Sequence, residues 1–236
     1  MGFDDPAVVR EQYASEENLR ARQALWADVE GDNAHDALWR LLSAEPLGDV
    51  LEVGGGQGEL AQRLQDELGT PVAYVDQSER MAELARARGI RDARVADVQA
   101  LPFADASFDT VIAAWMLYHV ADLDRGLAEI ARVLRPGGRL VAVTNSLRHI
   151  SELRELFGTV LPGFELQFNA ENGEELLRRH FRAVERTDCV TAATVHERET
   201  LERYRQSLSY GTLPLPDEIA FPFRVHGRPT IFVATR

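Results

Sequence analysis

Three glycines, Gly54, Gly56 and Gly58, stand between a short apolar run and a segment of helical period in the stretch VLEVGGGQGEL. Glycine adopts positive φ without strain and lets a ligand approach the main chain, while the first turn of a helix presents N–H groups without intrahelical partners. The segment from Gly56 to Ala61 also fits the G-x-G-x-x-A pattern of dinucleotide-binding turns. The competing explanation is a tight strand–helix turn with no ligand. Asp76 ends the next apolar run, Val72 to Asp76, at the spacing expected of a carboxylate that accepts both hydroxyls of a ribose. It could instead cap the helix that follows, but Ser78 is better placed for that. Asp97, after Arg94-Val95-Ala96 and before Val98, suits an adenine ring: the acid accepts from the exocyclic amine and the valine packs on the face.

Groups that could move a proton lie further on. His119 stands just past the fourth apolar run, where a substrate would meet the bound ligand, and is the best-placed base. Tyr118 beside it would contact substrate or fill the core. His149 is a second candidate base, and Trp115 could wall a substrate pocket. The six histidines are dispersed without H-x-x-x-H or H-E-x-x-H spacing, so no metal is expected. Cys189 reads as a small buried apolar residue.

These residues need a scaffold. Continuous apolar runs (Val50–Val53, Val72–Val75, Arg94–Ala96, Thr110–Ala114, Leu140–Thr144) alternate with helical segments, the pattern of a parallel sheet covered on both faces. Leu60, Ala61, Leu64 and Leu68 share one face of the first helix. Ser78 caps a second that buries Met81, Leu84 and Ala85. Asp122 caps a third, carrying Leu123, Leu127, Ile130 and Leu134 until Pro136-Gly137-Gly138 ends it. Residues 1–46 read as a helical, aromatic N-terminal cap, residues 47–236 as the main domain, and 146–170 as an apolar lid after the fifth strand. Further on, the pattern predicts a helix near Glu171–His180, a strand near Arg182–Val190, a helix over 196–209 and a last strand at Thr230–Thr235.

Composition narrows the function. The chain has 236 residues, enough for one α/β domain with a real core. Its net charge of -12 argues against nucleic acid, which is held by clustered cations. All 26 basic residues are arginine, so a Walker A lysine, a Schiff-base lysine and a lysine general base are ruled out. A single cysteine excludes internal disulfides and cysteine-ligated zinc or iron–sulfur sites. The N-terminus lacks the basic start and apolar core of a signal peptide, and the longest apolar stretch, Val111 to Val120, is too short to span a bilayer. A cytoplasmic protein without a membrane partner is expected; its oligomeric state is open.

Four ordered motifs, VLEVGGGQGEL, YVDQSERM, ARVADVQALPFADASFDTVIAAWMLYHV and LAEIARVLRPGGRLVAVTNS, together resemble class I S-adenosylmethionine-dependent methyltransferases. The likeness is strongest to the small-molecule branch that includes the menaquinone and ubiquinone methyltransferases, and it covers about residues 48–146. It implies a doubly wound, mostly parallel, Rossmann-like sheet of seven strands whose last strand is antiparallel. It also implies S-adenosyl-L-methionine as cofactor and a small methyl acceptor. By the same likeness, Glu52, Gly54, Gly56 and Gly58 would form the methionine side of the cofactor site and Asp76 would hold the ribose. Gln77 and Met81 would flank the adenine, Asp97 and Val98 would read its edge, and the Ala114 carbonyl would lie near the cofactor amino group. Tyr13 is similar to an N-terminal tyrosine with which many relatives cover the cofactor.

Departures are few. Gly55 and Gln57 replace commoner residues in the turn. No Asn/Asp-Pro-Pro-Tyr follows the fourth strand, which disfavours DNA amino methylation, and Cys189 lacks the Pro-Cys context of base carbon methylation. Two rivals stay open on the residues alone. One is a cofactor-binding protein without catalysis. The other is a nicotinamide-dependent oxidoreductase, which leaves Asp97 unexplained and would lack the lysine of a Tyr-x-x-x-Lys pair.

Overall fold

The structure, a computed structural model, describes residues 24–26, 29–158, 166–208 and 212–236. Its centre is a seven-stranded sheet. In chain order the strands are β2 (Val50–Val53), β3 (Val72–Asp76), β4 (Asp92–Val95), β5 (Phe108–Ala114), β6 (Leu134–Asn145), β7 (Ala183–Asp188) and β10 (Pro229–Thr235). They lie in the order β4-β3-β2-β5-β6-β10-β7. The first five pair parallel, whereas β10 runs antiparallel to both β6 and β7. The expected seven-stranded α/β sheet with an antiparallel last strand is therefore what the chain forms.

Alternate side chains of the strands feed two cores, because successive Cβ atoms point to opposite faces of a strand. One face carries Leu51, Val53, Val75, Val111, Ala113, Leu140 and Ala142 against helix α4 (Leu123–Val133), where Leu127, Ile130 and Val133 are buried. The other carries Val50, Val72, Tyr74, Ile112, Val141 and Val143 against α1 (Ala34–Ser43), α2 (Glu59–Leu68) and α3 (Glu79–Ala87). The caps follow expectation: Ser78 Oγ accepts from Met81 N–H and Asp122 Oδ1 from Arg125 N–H.

Leu123, Leu127, Ile130 and Leu134 are buried as predicted, but two helices depart in part from their predicted faces. On α3, Ala82 and Ala85 are buried while Met81 and Leu84 are only half-buried, and on α2 Leu68 is exposed. A larger correction concerns Pro136-Gly137-Gly138. The helix stops earlier, at Val133, and β6 already begins at Leu134, opposite Phe108. Regular pairing resumes at Arg139 opposite Thr110, so residues 135–138 bulge out of the ladder. Gly138 is confined there by carbonyls: a Cβ would fall 2.9 Å from the Asp109 oxygen and 3.0 Å from that of Arg135.

A second, three-stranded antiparallel sheet was not foreseen. It joins β1 (Val29–Gly31), β8 (Thr191–Val195) and β9 (Phe223–Gly227) in the order β1-β8-β9. Residues 29–31 are thus strand within the segment expected to be helical. The strand expected to reach Val190 ends at Asp188, and the chain then crosses into the small sheet as β8. Helices α5 (Ser151–Leu156) and α7 (Arg198–Gln206) pack there with Leu25 through Leu153, Phe157, Val195, Leu201 and Val225. The described part of segment 146–170 contributes α5 to this cluster, and α6 (Gly173–Leu177) returns the chain to the main sheet.

Candidate active site

The glycine turn leaves β2 at its C-terminal end, between β3 and β5. Gly54 has φ +63° and donates its N–H to the Val75 carbonyl at 2.7 Å, which ties the turn to β3. A Cβ at Gly54 would fall 2.8 Å from Met116 Cβ, so the segment after β5 crosses the turn there. Gly58, at φ +77°, opens α2, and a Cβ on it would stand 3.0 Å from Ala85 Cβ. The absent side chain lets α2 and α3 approach closely. Gly56 differs: at φ +56°, no described residue lies within 4 Å of where its Cβ would be. That open space lies over the turn.

Three polar groups converge beneath it. Asp76, the last residue of β3, accepts from Ser78 N–H on Oδ1 at 2.9 Å and from Gly56 N–H on Oδ2 at 3.2 Å. Burial pushes its pKa up, and these hydrogen bonds oppose the shift. Glu52 is 2% exposed, takes a hydrogen bond from Ala61 N–H at the start of α2, and has no partner for Oε2 among the described residues. Burial raises its pKa to about 8, with Asp76 adding a smaller push. Tyr74 sits directly across from Glu52, and its hydroxyl donates to the Gly56 carbonyl. Sequence reasoning passed over Tyr74, since an aromatic residue in a buried strand reads as core.

The remaining predicted positions are more scattered. Asp97 is exposed; both its oxygens accept from Gln99 Nε2 at 3.0 Å, and Oδ1 also from Gln99 N–H at 2.9 Å. Val98 is buried in the core beside α4. Gln77 is exposed, Met81 half-buried, and Ala114 ends β5 next to the segment that crosses Gly54. Tyr13 lies outside the described residues. Tyr118 and His119 form part of a 3-10 turn after β5, both half-buried, with ring centroids 4.5 Å apart. Trp115, held at φ +54°, donates from Nε1 to Asn145 Oδ1 at 3.3 Å and packs its ring 4.5 Å from that of His35. It bridges the C-terminal ends of β5 and β6.

His149 is not poised as a base. Its Nδ1 accepts from the Arg228 N–H at 3.0 Å, and burial, with Arg154 nearby, pushes its pKa down to about 4. Among the described residues no cluster of His, Cys, Asp and Glu is arranged to hold a metal, and no helix is long and apolar enough to cross a membrane.

Fold and turn together define a class I methyltransferase architecture. Residues 51–142 match the family described as "Methyltransferase domain". Over 161 residues the chain is 32% identical to the ubiquinone/menaquinone biosynthesis C-methyltransferase UbiE of Acidiphilium cryptum, covering 63% of this chain and 63% of that protein. It is 37% identical to the 27-O-demethylrifamycin SV methyltransferase of Amycolatopsis mediterranei, over 47% of this chain and 50% of the relative. The chain thus spans between half and two thirds of these relatives. A crystal structure of a SAM-dependent methyltransferase from Thermotoga maritima, described as a possible histamine N-methyltransferase, superposes with TM-score 0.62 at 22% identity. It covers 96% of this chain and 98% of its own, a likeness of fold.

Proposed function

We propose that this protein transfers a methyl group from S-adenosylmethionine to an oxygen, nitrogen or carbon atom of a small, partly apolar molecule in the cytoplasm. The observation that carries the proposal is the buried Glu52 and half-buried Asp76 around a glycine turn that no described residue covers above Gly56. The donor set fits the cofactor. A buried carboxyl with an unsatisfied oxygen is costly unless a cation or donor meets it, and the cofactor's amino group supplies one. Asp76 keeps acceptor capacity for ribose hydroxyls, and the mouth over Gly56 lets the ligand reach the main chain.

When bound, the cofactor would supply a sulfonium-activated methyl group open to direct displacement, with sulfur as the leaving group. The chain's task is then alignment, and orientation of reacting groups contributes about 7–11 kcal/mol in well-positioned systems. Glu52, Gly54, Gly56 and Gly58 hold the methionine end and Asp76 the ribose. Gln77, Met81, Asp97 and Val98 would surround the adenine and Ala114 would face the amino group; Tyr13, expected from the sequence to cover the ligand, lies outside the described residues. Where the acceptor must lose a proton, His119 takes it, with Tyr118 beside the acceptor; such a base adds about 10²–10⁴-fold.

The names of the two relatives, one acting in quinone biosynthesis and one on a rifamycin, support a small organic acceptor, and the net charge of -12 disfavours nucleic acid. The test is transfer of radiolabelled methyl from S-adenosylmethionine to a panel of partly apolar phenols, enols and amines. Label in the extracted product with wild-type protein, and its loss in Asp76→Ala, is expected. Tight cofactor binding with no transfer to any panel member would instead favour a binding protein without catalysis.

A further inference from the structure

Tyr74 is 0% exposed, and its ring fills the space a side chain at residue 55 would need. A Cβ on Gly55 would fall 2.6 Å from Tyr74 Cε2 and 2.5 Å from Glu52 Cδ, so the Gly55 position and the tyrosine are matched in shape. A buried tyrosine usually finds some partner for its hydroxyl. Here both neighbours of the hydroxyl belong to the ligand site: it donates to the Gly56 carbonyl and stands 3.4 Å from Asp76 Oδ2. Burial and the two nearby carboxyls, Asp76 then Glu52, push the phenol's pKa up, so it keeps its proton and remains a donor.

Lone pairs can be counted around Asp76. An ionised carboxylate offers about four acceptor positions. Ser78 N–H uses one on Oδ1 and Gly56 N–H one on Oδ2. The phenol has a single proton, and the Gly56 carbonyl is the nearer of its two acceptors. Among the described residues one acceptor position is left on each Asp76 oxygen, matching the two hydroxyls of a ribose. The same phenol bond pins the Gly56 peptide, whose N–H faces Asp76.

We propose that Tyr74 is a positioning residue for ribose recognition: by holding the Gly56 peptide it orients the Asp76 carboxylate with one free acceptor position on each oxygen. The inference rests on the cofactor assignment above and concerns a residue that assignment did not include.

Tyr74→Phe tests it, because phenylalanine keeps the ring that packs against Gly55 and deletes only the hydroxyl. Calorimetric affinities of wild type and variant are measured for S-adenosylhomocysteine and for its 2′-deoxyribose analogue. The variant is expected to bind S-adenosylhomocysteine up to about tenfold more weakly, the worth of one net hydrogen bond, and to lose much of the wild type's preference for the ribose ligand over the deoxy one. Unchanged affinity overturns the inference. So does an equal loss for both ligands, which is what a merely structural role produces. If the wild-type protein binds S-adenosylhomocysteine not at all, the cofactor assignment falls and takes this inference with it. If it binds but shows no preference for the ribose ligand, only the ribose role fails.

Discussion

Glu52→Gln isolates the buried carboxyl at the end of β2. In the folded protein this side chain is 2% exposed, Oε2 has no partner among the described residues, and burial moves its pKa from 4.5 up to about 8. The folded state therefore holds a proton at neutral pH that the unfolded chain has released. Between about pH 4.5 and 8 the folded state binds more protons than the unfolded one, so stability falls as pH rises through that window. Each pH unit contributes at most about 1.4 kcal/mol, which sets a ceiling on the order of 5 kcal/mol for this group. Glutamine has nearly the shape of the protonated acid and titrates in neither state, so the variant lacks this slope. The assay is urea denaturation of both proteins at about pH 5, 7 and 9. Stabilities within about 2 kcal/mol of each other are expected at the acid end, with the variant ahead by several kcal/mol at the alkaline end. Parallel stability curves would refute the reasoning, because they would mean that Glu52 is ionised in the folded protein throughout. The same logic governs ligand binding. A cationic amino group beside Glu52 favours its ionised form, so titration with S-adenosylhomocysteine near pH 7 should release a proton in wild type, read as a buffer-dependent enthalpy, and not in Glu52→Gln.

Two further predictions concern the glycine turn and the acceptor side. Gly58→Ala places a Cβ 3.0 Å from Ala85 Cβ at φ +77° and should cost on the order of 2 kcal/mol or more in thermal or urea unfolding. Gly56→Ala meets no neighbour among the described residues; it should cost only about 1–2 kcal/mol of backbone strain yet weaken cofactor binding more than Gly58→Ala does. The reverse ranking of the two variants would show that the open space at Gly56 is not where the ligand sits. His119→Ala should lower turnover about 10²–10⁴-fold on an acceptor that must be deprotonated while leaving S-adenosylhomocysteine affinity near wild type; normal turnover removes it from the mechanism.

The large sheet was legible because its central strands are buried on both faces. Val50 to Val53 and Phe108 to Ala114 are short apolar runs between turn signals, and such runs say strand without any knowledge of their partners. The caps at Ser78 and Asp122 were legible for a similarly local reason: an oxygen-bearing side chain meets an N–H a few residues on. The small sheet was not. Val29–Gly31 is three residues long and becomes a strand only by pairing with Thr191–Val195, a contact no local pattern announces. The Pro136-Gly137-Gly138 bulge escaped for a related reason, since proline and glycine signal a break and here the break lies inside a continuing strand. In the site, Asp76 and the glycines were readable from type and spacing. Tyr74 was hidden because its phenol earns its role from the carbonyl of Gly56, eighteen residues away in sequence. His149 looked available on the chain, but the Arg228 N–H brought in by the β9–β10 turn occupies its Nδ1.

The central claim is that the turn from Gly54 to Gly58, with Glu52 and Asp76, binds S-adenosylmethionine. Calorimetric titration of the purified protein with S-adenosylhomocysteine, with NAD and NADP run in parallel, tests it most directly. Micromolar binding of S-adenosylhomocysteine alone, lost in Asp76→Ala, is the predicted result; binding of a nicotinamide nucleotide, or of none of the three, would contradict the account.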